Sequence, residues 1–292
     1  MKALVDRVSR FEELNFLLTN RIPRRLATRF VGWWSPLRQP LVRDLSLFLF
    51  RFFCDDLELH EAKKARFDSL HDCFVRELKP GARPADPDPE VLTSPCDAIV
   101  GAHGRIEGTQ VFQAKGFPYR LEDLFGGDPM AASFHDGSYV TLRLTSAMYH
   151  RFHAPHDATV EHVTYLSGDT WNVNPIALAR VERLFCRNER VVLHAKLAAD
   201  SAPVTLVAVA AILVASVRLH FLDVLLHLRY RGPNRIACDA RFAKGEEIGF
   251  FQHGSTILVF VPPGFELCDG VKEGVRIKVG QPLLRRSSEG RG

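Results

Sequence analysis

Two hydrophobic rhythms divide the chain. Up to about residue 66, apolar positions recur every third or fourth residue, the period of an amphipathic helix. Phe11, Leu14, Leu17 and Leu18 form one stripe, and Ile22, Leu26, Phe30 and Trp33 form another. Arg21, Arg24, Arg25 and Arg29 fall between them, and Pro23 and Pro36 divide the segment into short helices. Residues 45–53 are apolar nearly all round. Pro80, Pro84, Pro87 and Pro89 then form a linker that cannot stay helical, because proline lacks the amide hydrogen and clashes with the preceding turn. Beyond it the rhythm shortens to apolar runs ended by Gly, Asp or Asn. Residues 98–100, 138–144, 191–193 and 257–260 predict strands, and 204–217 predicts one or two buried strands. Residues 121–125 and 175–180 predict short helices between strands. The fold class is α+β: a helical N-terminal segment over 1–66, then a mostly β core over 67–292.

Charge sharpens the division. Residues 1–52 hold ten Lys or Arg against four acids, whereas the whole chain carries only +4, so the remainder is slightly acidic. The basic character belongs to the N-terminal segment, and no nucleic-acid partner is expected. Arginines on one helix face and Trp, Phe and Leu on the other suit an anionic membrane surface. An amphipathic helix packed on its own domain, or a dimer contact, has the same periodicity. No run of about 20 apolar residues is present, so no bilayer-spanning helix is expected. Neither is a secretory signal. Six scattered cysteines without a C-x-x-C pair read as small hydrophobes in a reducing compartment.

The chemistry centres on residues 249–256, which contain Gly254-Ser255-Thr256. Upstream stand Asp97, in Ser94-Pro95-Cys96-Asp97, and two histidines, His150 and His153, in Tyr149-His150-Arg151-Phe152-His153. Asp, His and Ser are the parts of a base-activated serine nucleophile. Ser255 lies close to the C-terminus, a placement that suits attack on its own backbone better than waiting for a substrate. His150, His153 and His156 also form an H-x-x-H-x-x-H series. Pro155 argues against one helix presenting all three, and no nearby Cys or Glu completes a zinc set, so no metal is expected.

These pieces, taken in order, resemble the bacterial phosphatidylserine decarboxylase proenzymes. The resemblance runs through residues 74–80, Ser94-Pro95-Cys96-Asp97, Gln113-Ala114-Lys115-Gly116, residues 149–155, Gly168-Asp169, Asn172-Val173-Asn174, residues 184–190 and Gly254-Ser255-Thr256. It implies a self-processing, pyruvoyl-dependent carboxy-lyase. The chain would cleave between Gly254 and Ser255 into a β chain (1–254) and an α chain (255–292). Ser255 would become the covalent pyruvoyl cofactor, with His153 as its base, Asp97 orienting His153, and His150 assisting decarboxylation. The implied substrate is phosphatidylserine, converted to phosphatidylethanolamine and CO2. The implied location is the cytoplasmic side of the cell membrane, held peripherally, with a homodimer of αβ units as a further expectation. Lys115, Arg151 and Arg187 are candidate phosphate contacts.

Two positions depart from the family pattern. His253 stands where Leu or Gly is usual, and Ala98 replaces a glycine after the aspartate. Neither removes an essential group. Two other classes fit parts of the sequence: a Ser-His-Asp hydrolase, although the G-x-S-x-G elbow is missing, and a non-cleaving lipid-surface binding module. The segment 261–283 resembles the strand-turn rhythm of lipoyl and biotin carrier domains, but Lys272 lacks their flanking signature. The last eight residues read as a polar, disordered tail.

Overall fold

The computed structural model describes residues 13, 16–17, 20, 23–54, 56–113, 117–211, 216–227, 230–252 and 255–287. Phe11, Leu14, Leu18 and Ile22 of the N-terminal stripes, Lys115, and residues 288–292 of the polar tail lie outside them. Helix α1 (Arg24–Trp34) starts directly after Pro23, and α2 (Pro40–Phe53) starts on Pro40. A proline in the first helical turn costs nothing, because the amide hydrogen it lacks has no partner there. The Trp34 indole N–H donates to Ser46 Oγ at 2.9 Å and ties the two helices together. On its inner side α2 sets Leu47 and Phe50 against Phe67 and Cys73, near the short helix α3 (Leu70–Phe74). On the outer side Leu26, Phe30, Trp33, Leu41, Leu45 and Phe48 are all exposed.

The rest is mostly strand, as expected for an α+β chain. In order come β1 (Val91–Thr93), β2 (Ala98–Arg105), β3 (Gln110–Phe112), β4 (Pro118–Arg120), helix α4 (Leu121–Phe125) and β5 (Ser138–Arg143). Then follow β6 (Arg151–His153), β7 (Ala158–Leu166), helices α5 (Pro175–Arg180) and α6 (Leu184–Arg187), β8 (Arg190–Leu197) and β9 (Pro203–Ala210). The last are β10 (Ser216–Leu219), β11 (Leu225–His227), β12 (Arg235–Phe242), β13 (Glu247–Phe251), β14 (Ser255–Val261), β15 (Phe265–Leu267), β16 (Arg276–Ile277) and β17 (Pro282–Arg286).

An eight-stranded antiparallel sheet, ordered β12-β7-β8-β9-β14-β5-β2-β16, forms the centre. Both of its faces are covered. Ile257 and Val259 of β14 enter one core, and Leu258 and Phe260 enter the other. This double burial is why residues 257–260 read as a continuous apolar run and not as an alternation. The first core is closed by a four-stranded sheet, β11-β10-β13-β6, which contributes Phe152, Val217, Leu219 and Phe251. A three-stranded sheet, β1-β17-β15, adds Val91, Phe265 and Leu284. The second core is closed by α4, α5 and α6 through Leu124, Phe125, Ala177 and Phe185.

Candidate active site

Backbone pairing lays the Asp97 segment beside the histidine segment. The Thr93 N–H donates to the Pro155 carbonyl at 2.9 Å, and the His153 N–H donates to the Pro95 carbonyl at 2.8 Å. On its other side β6 pairs with β13, with Phe250 opposite Arg151 and Glu247 opposite His153. Gly249 is required in that ladder: a Cβ there would stand 2.2 Å from the Arg218 carbonyl of neighbouring β10.

Asp97 is almost fully covered and is held by Arg83. Arg83 Nε donates to its Oδ1 at 2.9 Å and Nη2 to its Oδ2 at 2.6 Å, while the Val279 N–H donates to Oδ1 at 2.9 Å. The same Nη2 lies 2.8 Å from Glu61, and Lys278 binds Glu58 at 2.8 Å. Burial pushes the Glu61 carboxyl up, but Arg83 and Lys278 outweigh it and hold the group below its usual range.

His153 sits beside this network without a hydrogen bond to Asp97. Its Nδ1 is 2.8 Å from the Gly245 carbonyl, and its Nε2 is 3.0 Å from the Tyr149 hydroxyl. A carbonyl only accepts, so the neutral ring carries its proton on Nδ1 and offers the Nε2 lone pair to Tyr149. Burial pushes the His153 imidazole below its ordinary value, with the Gly245 carbonyl, Glu247 and Asp97 pulling the other way. Burial also raises the Tyr149 phenol, which therefore stays protonated. His153 and Tyr149 line a cleft of about 460 Å³ with Arg83, Arg151, His220 and Glu247. Arg151 donates to Glu247 at 2.6 Å there.

His150 is fully buried and takes no part in lining that cleft. Its ring packs on Phe74 with centroids 4.0 Å apart, and its Nδ1 faces the Met148 carbonyl at 2.8 Å. Its backbone carbonyl accepts the Phe251 N–H at 3.0 Å. His150 is thus at the end of the β6–β13 ladder that leads into residues 252–255, and His153 is at the opposite end. Ser255 opens β14, paired with Ala210 of β9, and the next residue, Thr256, pairs with Arg143 of β5. Gly254, His253 and the Ser255 side chain lie outside the described structure.

The structure therefore places His153 on the cleft wall and Asp97 behind it under Arg83, linked by backbone and by charge. It places His150 in the adjoining core. His150, His153 and His156 each have separate partners, the last facing the Pro89 carbonyl at 2.8 Å. Arg83, Tyr149 and Glu247 were not read from the sequence as site residues. Tyr149 lies inside the quoted histidine motif, which was a usable signal. Arg83 lies in a proline-rich linker with no periodicity to mark it.

Comparison with known proteins decides the family. A model described as phosphatidylserine decarboxylase matches residues 70–285. The phosphatidylserine decarboxylase proenzyme of Aliivibrio salmonicida is 34% identical over 280 residues, covering 90% of this chain and 92% of that protein. Those of Xanthomonas euvesicatoria and Vibrio cholerae are each 34% identical over 280 residues, covering 92% and 91% of this chain and 98% and 96% of theirs. The chain belongs to the phosphatidylserine decarboxylase family.

Many residues of the decarboxylase motifs prove to be internal staples. Buried Arg76 donates to the Leu57 and Ala147 carbonyls, both at 2.9 Å, and so fastens the α3 segment beneath the histidine motif. Gln113 donates to the Leu178 and Val181 carbonyls at 2.8 Å, at the end of α5. Buried Arg190 donates to the Asp123, Leu124 and Cys186 carbonyls. Helix ends leave carbonyls unpaired, and Gln113 and Arg190 satisfy those of α4, α5 and α6 where water does not reach.

Proposed function

We propose that this chain is a self-processing, pyruvoyl-dependent decarboxylase that converts phosphatidylserine to phosphatidylethanolamine and CO2. The observation that carries the proposal is the position of Ser255 as the first residue of an interior strand. A cut between 254 and 255 leaves β14 paired with both β9 and β5, β16 with β2, and β17 with β1. The two products would stay interleaved in one fold, and the new terminus would be held at the sheet.

In this reading Ser255 Oγ attacks the Gly254 carbonyl and the peptide becomes an ester. Elimination transfers the oxygen to the Gly254 carboxylate, and water then releases ammonia from the new terminal residue. The family resemblance gives the serine proton to His153, neutral because it is buried, although the β6–β13 ladder sets His153 at the end away from residues 252–255. Asp97 supports His153 through charge and shared backbone, not through contact. The residues present fit a pyruvoyl group at 255: backbone pairing fixes that position, and the neighbouring Thr256 hydroxyl is buried with no hydrogen-bond partner among the described residues. When formed, the group supplies the electron sink that amino-acid decarboxylation needs and ordinary side chains lack. Cations Arg83 and Arg151, with carboxylates Glu77 and Glu247, give the cleft both signs of charge for a serine phospholipid headgroup.

The exposed outer face of α1 and α2 fits attachment at a membrane surface. Among the described residues no helix is long and apolar enough to cross a bilayer. From the inner side of α2, Phe50 packs on Phe74 (ring centroids 6.1 Å apart), and Phe74 packs on His150. The helix proposed to face lipid is therefore linked through Phe50 and Phe74 to the buried His150.

Intact mass under denaturing conditions tests the proposal. Two chains, 1–254 and 255–292, are expected, the smaller lighter by one ammonia than a serine-started peptide. Ser255→Ala should give one full-length, inactive chain. Normal decarboxylation by that variant would rule the mechanism out.

A further inference from the structure

The large sheet carries a second polar cluster, on the face away from β6. His162 of β7 and His194 of β8 are register partners, with rings stacked at a centroid distance of 4.3 Å. Asp128 reaches them from the turn after α4. There Gly126 and Gly127 take φ angles of 72° and 82°, a left-handed pair that suits glycine and turns the chain back over the sheet. Asp128 divides its carboxylate: Oδ1 accepts the Met130 N–H at 3.0 Å, and Oδ2 stands 3.1 Å from His162 Nε2 and 3.8 Å from His194 Nε2. The His194 side chain is 0% exposed, and its Nε2 has no hydrogen bond among the described residues. The three potential donor atoms all lie within 4.8 Å of one another.

We propose that Asp128, His162 and His194 form a binding site for a divalent first-row transition-metal ion of the zinc class. One carboxylate oxygen and two imidazole nitrogens are a donor set such ions take, with the remaining positions left to water. Ligation needs neutral imidazoles, and the His194 ring is closed off from solvent with its Nε2 aimed at the cluster. Its Nδ1 is 3.3 Å from Thr205 Oγ1, the outer hydrogen bond that orients a ligating imidazole. Arg235 of β12 lies 3.2 Å from His162 Nε2 and 3.8 Å from Asp128 Oδ2. Arg235, which only donates, and Asp128, which only accepts, make opposite demands on that one nitrogen, and a bound cation would replace both contacts. The Arg235 side chain is 61% exposed and free to swing outward, which makes it the gate of the site. A bound ion would clamp the turn at Asp128 onto β7 and β8.

Titration of the purified full chain with Zn2+ by calorimetry, and with Co2+ by visible absorption, tests this. One saturable equivalent is expected, with an imidazole-ligated Co2+ spectrum. His194→Gln and Asp128→Asn should remove that equivalent. Arg235→Ala, a change at an exposed position, should bind the ion several-fold more tightly because a competing cation is gone. An unchanged stoichiometry in His194→Gln and Asp128→Asn would overturn the site. So would unchanged or weaker binding in Arg235→Ala, a result that stands even where the buried variants fail to fold.

Discussion

Arg83 grips Asp97 through two guanidinium nitrogens, and neither side chain exposes more than 7% of its surface. Arg83 comes from the proline-rich linker, Asp97 from the bend just before β2, and the Val279 amide that completes the carboxylate's shell from the C-terminal segment. Cleavage at 254 would put Val279 on a different chain from Asp97 and Arg83. Asp97 would then join the two products through Val279 while Arg83 holds it from its own side.

Removing Arg83 should cost more than a surface ion pair, because a buried carboxylate loses its cation. Breaking a buried pair typically costs about 3–5 kcal/mol. Arg83→Ala should show a loss of that order in urea unfolding, measured in a Ser255→Ala background so that one chain is followed. Arg83→Lys keeps the charge but not the paired geometry, and should fall between the two. A loss under about 1 kcal/mol for Arg83→Ala would mean that Asp97 is supported elsewhere.

The pH dependence of self-cleavage should report His153. Its imidazole lies below the ordinary 6.5 chiefly because it is buried. The base form therefore persists into mild acid, and the cleavage rate should fall with a midpoint under 6.5. Tyr149→Phe keeps the ring over His153 and should leave that midpoint low. Tyr149→Ala opens the ring to water and should raise it. The same depression adds stability above the unfolded value, and that stability is lost as pH falls through the folded one. A midpoint at or above the ordinary value in the unaltered protein would remove His153 from the base role.

Much of the architecture was legible in the sequence. Pro23 and Pro36 bracket α1 because proline chemistry is local, and residues 121–125 and 175–180 are helical as their short apolar pattern indicates. Residues 204–217 become two strands, β9 and β10, joining different sheets. The site was legible only in part. Asp97, His150 and His153 stood in motifs, as did Tyr149, but a linker arginine, the Val279 amide and backbone carbonyls also hold them, and no residue pattern marks those. The resemblance also ran through Arg76, Gln113 and Arg190, whose observed contacts hold the fold together. The Asp128, His162 and His194 cluster joins one turn and two strands, a convergence that only strand register reveals.

Glu189 makes a separate prediction in the other direction of pH. Burial raises its carboxyl to about 8. The Tyr165 hydroxyl, with a single proton, lies 2.8 Å from Glu189 Oε1 and 2.7 Å from the His227 carbonyl. The carbonyl only accepts, so both contacts are satisfied when Glu189 is protonated and donates to the tyrosine oxygen. A raised carboxyl stabilises the fold below its unfolded value, and that contribution is lost as pH rises through the folded one. Glu189→Gln should match the parent near pH 5 and exceed it by on the order of 3 kcal/mol near pH 9. Parallel stability curves for the two proteins would contradict a neutral Glu189.

The outer face of α1 and α2 offers the last test. Trp33 and Phe48 are 62% and 64% exposed, whereas Phe50, on the opposite side of α2, packs into the fold. Changing the two exposed aromatics should therefore spare stability. Each aromatic that enters an acyl layer contributes roughly 1.5–3 kcal/mol. Trp33→Ser with Phe48→Ser should then weaken sedimentation with anionic vesicles by at least about tenfold while leaving unfolding unchanged. The neighbouring arginines predict that added salt weakens what binding remains. If vesicle binding is unaffected and the double variant instead changes oligomeric state, the face belongs to a contact between copies of the chain, and the membrane reading of the helical segment is lost.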